Sequence, residues 1–327
     1  MRINYIIGNG FDINLNLKTS YIEFVKEYKK VENEEKVIKS FKSTLENDSN
    51  LWSDLESYLG DYTKNIKVAQ DFIKIYDDLQ LELSKYLINE QSTLETSKLL
   101  GEKIMNDFVN PQNLLLPNDK RNLISLFENH SHKKIALTIS TFNYTNSVEQ
   151  ILNSFKFPIH TNTSNIYKTN IEISKINHIH GLVDDGLIFG VNDESQIANK
   201  ALSNNIDIQE HLIKPFANDS FDVVTNQIFE RDIRSSDLIC LHGVSLGESD
   251  KKWWKIIGEE LKKGKHLIYH KFSKNGLSNL NKNKVNPIIR KEKNRLLEKF
   301  EIQAELHEKI KSQIYIEIGN KVFSVSE

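Results

Sequence analysis

Ile3-Asn4-Tyr5-Ile6-Ile7-Gly8-Asn9-Gly10-Phe11-Asp12 is the stretch from which the rest of the chain is read. A short apolar run breaks at two glycines one residue apart, the pattern of a buried strand that ends in a tight turn. Glycine at both positions lets the backbone approach a ligand closely, and the amides that follow can face phosphate or ribose oxygens. Gly8, Asn9, Gly10 and Phe11 are therefore candidate nucleotide-binding residues. The full dinucleotide fingerprint needs a third glycine where this chain has Ile13, so a plain turn into the next element stays open beside the ligand reading. Asp12 stands beyond the turn, where a carboxylate can cap or meet a ribose hydroxyl.

Downstream of this turn, residues 19–132 have helical spacing nearly throughout, with prolines only at 111 and 117. Thr19 or Ser20 can cap a helix with Tyr21, Phe24, Val25 and Tyr28 on one face. Further helices are expected over 37–45, 51–62, 68–88 and 94–108. Short apolar runs return at 135–140, 177–180, 186–190, 238–242 and 266–270, separated by helical stretches such as 221–233 and 251–261. That alternation predicts an α/β fold with a mainly parallel, Rossmann-like sheet and a large helical insertion (19–132) after the first strand, in one domain over 1–327. Residues 283–300 hold six Lys/Arg against two Glu and read as a basic helix with a solvated face, contact with a phosphate-rich partner being the alternative.

Composition narrows the function classes. The 327 residues are 39% hydrophobic, enough for a substantial core, and a net charge of -2 gives no global field for nucleic acid or an anionic membrane. No apolar run is long enough to span a bilayer, and the first is too short for a secretory signal, so a cytoplasmic, membrane-free protein is expected. The single cysteine, Cys240, rules out an internal disulfide framework and reads as a core thiol.

In an open α/β sheet ligands sit beyond the carboxyl ends of the strands, so the polar residues there are the ones that matter. After the 135–140 run, Asn143 could donate and accept at once toward a water or ribose hydroxyl, although Thr145 or Asn146 could cap the next helix and Asn143 merely close the turn. In Asn177-His178-Ile179-His180-Gly181, His180 at the strand end is a candidate general base, whereas His178 reads as a satisfied core residue. Two histidines on one face could hold a metal, but no third ligand follows at a fixed spacing. In His242-Gly243-Val244-Ser245-Leu246-Gly247-Glu248-Ser249-Asp250, the glycines and Ser245 could line a nucleotide pocket, with Ser249 or Asp250 as a helix cap. The same loop satisfies the Gly-x-Ser-x-Gly elbow, which keeps a serine hydrolase as a minor alternative with His266, His270 or His307 as its histidine.

Together these segments resemble the AbiH family of bacteriophage abortive infection proteins. The likeness rests on Ile7 to Asp12 with Thr19-Ser20-Tyr21, on Trp52-Ser53-Asp54-Leu55-Glu56, on Phe142-Asn143-Tyr144-Thr145, on His180-Gly181 with Ile188-Phe189-Gly190-Val191-Asn192, and on Gly243 to Asp250. More distantly, their order is similar to that of sirtuin-like defence NADases, with Asn9, Asp12 and Thr145 departing from that group's pattern. This second resemblance implies a sirtuin-like sheet, NAD as substrate or ligand with no metal, and cleavage of the nicotinamide N-glycosidic bond. Asn143, His180 and Asp12 would be catalytic; Gly8, Asn9, Gly10, Phe11, Gly243, Ser245, Leu246 and Asp250 would bind the cofactor. Glu56 and Trp52 could reach the pocket from the helical stretch, packing being the preferred role for Trp52. Expected partners are a small-molecule nucleotide, with a phage-derived trigger and a homo-oligomer as further candidates. A nucleotide-binding sensor without chemistry and a metal-dependent nuclease using His178 and His180 are the competing functions.

Overall fold

A computed structural model describes residues 1–46, 54–129, 134–161, 170–220, 224–273, 282–319 and 321–325. Among them the strands are β1 (Arg2–Ile7), β2 (Ile135–Thr141), β3 (Ile159–Thr161), β4 (Ile171–His178), β5 (Leu238–His242), β6 (His266–Phe272) and β7 (Ile314–Gly319). They form one sheet in the order β3-β4-β2-β1-β5-β6-β7. Only β3, at one edge, runs antiparallel to its neighbour. The fold is thus mixed α/β with a mostly parallel sheet and many helices.

Inward alternation divides β1, β5, β6 and β7 between two helical layers. Ile3, Tyr5 and Ile7 join Leu238 and Cys240 in a core covered by helices Lys98–Val109, Pro117–Glu128 and Ser147–Leu152. Ile6, Ile239 and Leu241 face the other layer, made by helices Thr225–Ser235, Lys251–Lys262 and Lys282–Lys299. A third core contains no strand residues and is built mainly from two distant stretches, one helical and one of loop and short helices. Helices Tyr21–Tyr28, Lys36–Glu46, Leu55–Tyr62 and Ala69–Ser92 pack there with residues 183–213.

Several expected elements differ. No strand forms over 186–190: Gly186 and Gly190 adopt positive φ, and a Cβ at 190 would sit 2.0 Å from the Leu212 carbonyl, so this stretch folds against the helical core instead. The 51–62 helix begins at Leu55, where Asp54 caps it by accepting from Ser57 N; Trp52 lies outside the described residues. Strands β3 and β7 and the helix Pro117–Glu128 come in addition to the expected elements. The basic helix forms over 282–299, but Val285, Ile289, Leu296 and Leu297 are buried, and Lys299 and Arg295 bond to Glu248 and Glu292.

The strand order places a topological switch between β1 and β5. From β1 the chain moves outward through β2 to β4, then returns to β5 on the opposite side and moves out through β6 to β7. In such sheets the crevice beyond the strand ends at the switch is where ligands bind. Register aligns six strands at that edge, with His178, Thr141, Ile7, His242, His270 and Glu317 forming one row across β4, β2, β1, β5, β6 and β7.

Candidate functional site

A cavity of about 800 Å³ opens along this edge. Its wall includes Gly8, Asn9, Gly10, Asp12, Asn143, His180, Gly243, Ser245 and Asp250, segments separated by up to some 240 positions of sequence. Glu56 reaches it from the helical layer. Phe11 and Leu246 do not line it. The Phe11 ring packs against Phe323 beneath the turn, and Leu246, at φ 57°, is buried with Trp253 and Trp254.

The glycines of the first turn have a reason independent of any ligand. A Cβ on Gly8 would lie 2.7 Å from the Gly243 carbonyl oxygen, and one on Gly10 would lie 2.5 Å from the Gly243 Cα. Gly10 N donates to that carbonyl at 3.0 Å. The turns after β1 and β5 are therefore pressed backbone to backbone. The helix that follows, Gly10–Asn14, is only five residues long, and Asn9 is tied to Thr19 in both directions. The close-packed turn is thus a sufficient account of Gly8 and Gly10.

His180 sits in a buried charged cluster. Its Nε2 is 3.0 Å from Asp250 Oδ1, and Lys214 Nζ lies between that carboxylate, at 3.3 Å, and Glu56 Oε2, at 2.7 Å. The hydroxyls of Tyr144 and Tyr21 donate to Glu56 Oε1 at 2.9 and 3.1 Å. Burial alone would raise the Asp250 carboxyl, but the Lys214 ammonium and then His180 outweigh it and hold the group well below the usual carboxylate range. For Lys214 burial acts downward, yet Asp250 and Glu56 hold the ammonium above its ordinary value. Asp250 does not cap helix Lys251–Lys262 by its side chain, as the sequence suggested, because its carboxylate is drawn to Lys214 and His180. His180 Nε2 faces the Asp250 carboxylate, an acceptor, at 3.0 Å and the Lys214 ammonium, a donor, at 3.5 Å, and the shorter contact favours the tautomer with the proton on Nε2. Nδ1 is buried and has no hydrogen-bond partner among the described residues. The ring is stacked on Phe142 at 5.1 Å.

Asn143 is 6% exposed; its side-chain oxygen has no hydrogen-bond partner among the described residues, and its amide nitrogen makes no well-formed bond but lies close enough to the Asp12 carboxyl to stabilise its charge. Its backbone is fixed: its N–H donates to Thr141 Oγ1 at 3.0 Å, and its carbonyl meets His178 Nδ1 at 3.0 Å. His178 Nε2 is 2.8 Å from Glu149 Oε1, so both of its nitrogens face an acceptor and the ring positions the loop. The capping alternative is not realised, for Asn146 makes no side-chain cap and Thr145 donates instead to Asp12 Oδ2 at 2.6 Å. Ser147 donates to the other oxygen. Burial lifts the Asp12 carboxyl above its ordinary value, while the bonds from Ser147 and Thr145 and the nearby Asn143 amide oppose the rise.

At the other end of the cavity stand His242, His270 and Glu317. Burial, reinforced by the neighbouring His270, pushes His242 well below its ordinary value, so it is neutral at pH 7. All four ring nitrogens of the two histidines are buried without a hydrogen-bond partner among the described residues. His270 Nδ1 is 3.5 Å from Glu317 Oε2 without making a hydrogen bond. Sequence reasoning named His270 only as a possible partner of Ser245 and missed its grouping with His242 and Glu317, and it missed Lys214. The available signal was a titratable residue within an otherwise buried apolar run, as in Leu241-His242, Tyr269-His270, Ile316-Glu317 and Ile213-Lys214.

Ser245 is exposed, and the turn's positive φ angles fall on Gly243 and Leu246 rather than on the serine. Of the later histidines, His266 meets the Tyr315 hydroxyl, His307 the Ile302 carbonyl and His270 faces Glu317 at 3.5 Å, and none of these contacts is with Ser245, as an elbow requires. Cys240 is buried, and burial pushes its thiol up, which makes it inert. No helix among the described residues is long and apolar enough to cross a membrane.

The family model described as Bacteriophage abortive infection AbiH matches residues 4–272. No curated protein matches the chain.

Proposed function

The chain belongs to the bacteriophage abortive infection family AbiH, and from that premise we propose a phage-defence effector that binds NAD in the strand-edge cavity and hydrolyses its nicotinamide N-glycosidic bond. A sirtuin-like reading of the sheet belongs to the same proposal. The observation that carries it is the pairing in one cavity of a buried amide and a buried imidazole with open acceptor or donor atoms: Oδ1 of Asn143 and Nδ1 of His180 have no hydrogen-bond partner among the described residues. Buried polar groups are normally hydrogen-bonded, so orphaned ones lining a cavity point to a ligand or water they are built to hold.

In the proposed reaction the ribose C1′–N bond breaks and its electron pair moves into the pyridinium ring, so nicotinamide leaves neutral and needs no proton. A water oxygen bonds to C1′ and gives its proton to His180 Nδ1, while Asp250 holds the ring through Nε2. Asn143 orients the water or a ribose hydroxyl by donating and accepting together. Asp12, with its oxygens engaged by Thr145 and Ser147, braces the Asn143 loop and supplies buried negative charge near the developing oxocarbenium.

The test is nicotinamide release from NAD by purified protein. His180→Ala should lower the rate by roughly 10²–10⁴-fold, the range of general-base catalysis. Asn143→Ala should lower it by about 10²-fold, with thermal unfolding showing that both variants are folded at the assay temperature. Unchanged turnover in either variant removes that residue from its role. NAD that binds and survives long incubation would favour a sensor instead.

A further inference from the structure

The unpartnered histidines at the far end of the cavity lie outside the chemistry just described, and the sheet fixes how far. Thr141, two residues before Asn143, pairs with Ile7, which pairs with His242, which pairs with His270. From β2 to β6 is three strand spacings, roughly 14 Å. The β1 and β5 turns meet between the two ends. A ligand touching both ends is therefore extended, with its middle across the Gly8–Gly10 and Gly243 backbone.

We propose that His242, His270 and Glu317 form a second sugar subsite, which takes the unphosphorylated vicinal diol of the distal ribose in a dinucleotide and excludes its 2′-phosphate; this rests on the dinucleotide reading above. A neutral imidazole offers one donor and one acceptor, and a carboxylate offers acceptors only. Hydroxyls, which donate and accept, satisfy that set, and an acidic residue beside a sheet edge is a recurrent partner of a ribose 2′-hydroxyl. A phosphate would bring negative charge against Glu317 in a buried site, a repulsive element that discriminates strongly. A metal fits less well, since no group of three or more His, Cys, Asp or Glu among the described residues is arranged to hold one. His242 and His270 are each 6% exposed, and Glu317 likewise, so water offers them little compensation.

The experiment measures binding of ADP-ribose, ADP-ribose 2′-phosphate and nicotinamide mononucleotide by titration calorimetry to wild type, Glu317→Gln and His270→Asn. Thermal unfolding shows that each variant is folded. ADP-ribose should bind wild type at least tenfold more tightly than its 2′-phosphate. Glu317→Gln should cut that preference to threefold or less. His270→Asn should weaken ADP-ribose by about tenfold and leave the mononucleotide, which lacks the distal ribose, unaffected. Equal binding of ADP-ribose and its 2′-phosphate overturns the subsite, as does a His270→Asn loss shared by the mononucleotide. Should the mononucleotide bind and be cleaved while the distal predictions fail, only the subsite falls. Should no probe bind wild type, the dinucleotide reading falls and takes the subsite with it.

Discussion

The two ends of the cavity hold polar clusters of similar burial that differ in one respect. Around Lys214, charged atoms meet opposite charges or hydroxyls: Glu56 has three donors, and Asp250 has His180 and the ammonium. Around His270, two imidazoles have no hydrogen-bond partner on any ring nitrogen among the described residues. The charged groups of the first cluster are neutralised within the protein, only His180 Nδ1 being left open, and they tie the helical layer, through Glu56 and Lys214, to the sheet-edge residues His180 and Asp250. The second is incomplete without something added. The contrast separates two kinds of buried polarity: charges neutralised by one another, which hold the helical layer to the sheet edge, and imidazoles desolvated without a hydrogen-bond partner, which cost stability.

The largest effect should come from breaking the neutralised cluster. Lys214→Met leaves Glu56 and Asp250 as buried neighbouring anions with one counter-charge removed, and breaking a buried pair by removing one partner typically costs about 3–5 kcal/mol. Denaturant unfolding at pH 7 should record a loss of that size. A loss below about 1 kcal/mol would mean that water already screens the cluster, and the comparison between the two ends would collapse.

How much of this was legible in the sequence follows from how local each determinant is. Strands β1, β2, β5 and β6 were readable because their apolar runs end at glycine, asparagine or histidine, and the first turn stood out through Gly8 and Gly10. The 186–190 run misled because hydrophobicity cannot distinguish a strand from a loop held against a helix by glycines at positive φ. Asn143 and His180 were legible as strand-end polar residues; their arrival at one cavity follows from the order β4-β2-β1, which no local pattern encodes. Lys214 was invisible for the same reason. Its partners lie 158 and 36 positions away, and a lysine in an apolar run announces burial without saying against what. The row His242-His270-Glu317 needs strand register, which appears only once β7 is placed.

A smaller effect, of opposite sign, should follow from filling the incomplete end. His242→Phe replaces an imidazole whose nitrogens lack partners by an apolar ring of similar shape, beside Phe11 and Phe323. Removing an unsatisfied buried polar group is neutral or stabilising, so unfolding of the unliganded protein at pH 8 should show between no change and a gain of about 1 kcal/mol. A loss above about 2 kcal/mol would show that the imidazole is already satisfied and would erase the difference from the Lys214 end.

The smallest effect is the pH dependence that this histidine imposes. Burial and then His270 depress His242 in the folded state, whereas in the unfolded chain it titrates near its ordinary value of 6.5. Below that value the unfolded state binds a proton that the folded state refuses. Stability contributed by the neutral ring is therefore complete above about pH 6.5 and declines as pH falls beneath it. Between pH 6.5 and 5.5 this one site should remove about 1 kcal/mol, most of a full proton's worth of slope. The difference in unfolding free energy between wild type and His242→Phe should change by that amount across the interval, the variant having the flatter profile. Parallel profiles would mean that His242 is protonated as readily in the folded protein as in the unfolded chain, which requires water or a counter-charge at the end of the cavity where the structure leaves the imidazole without a partner.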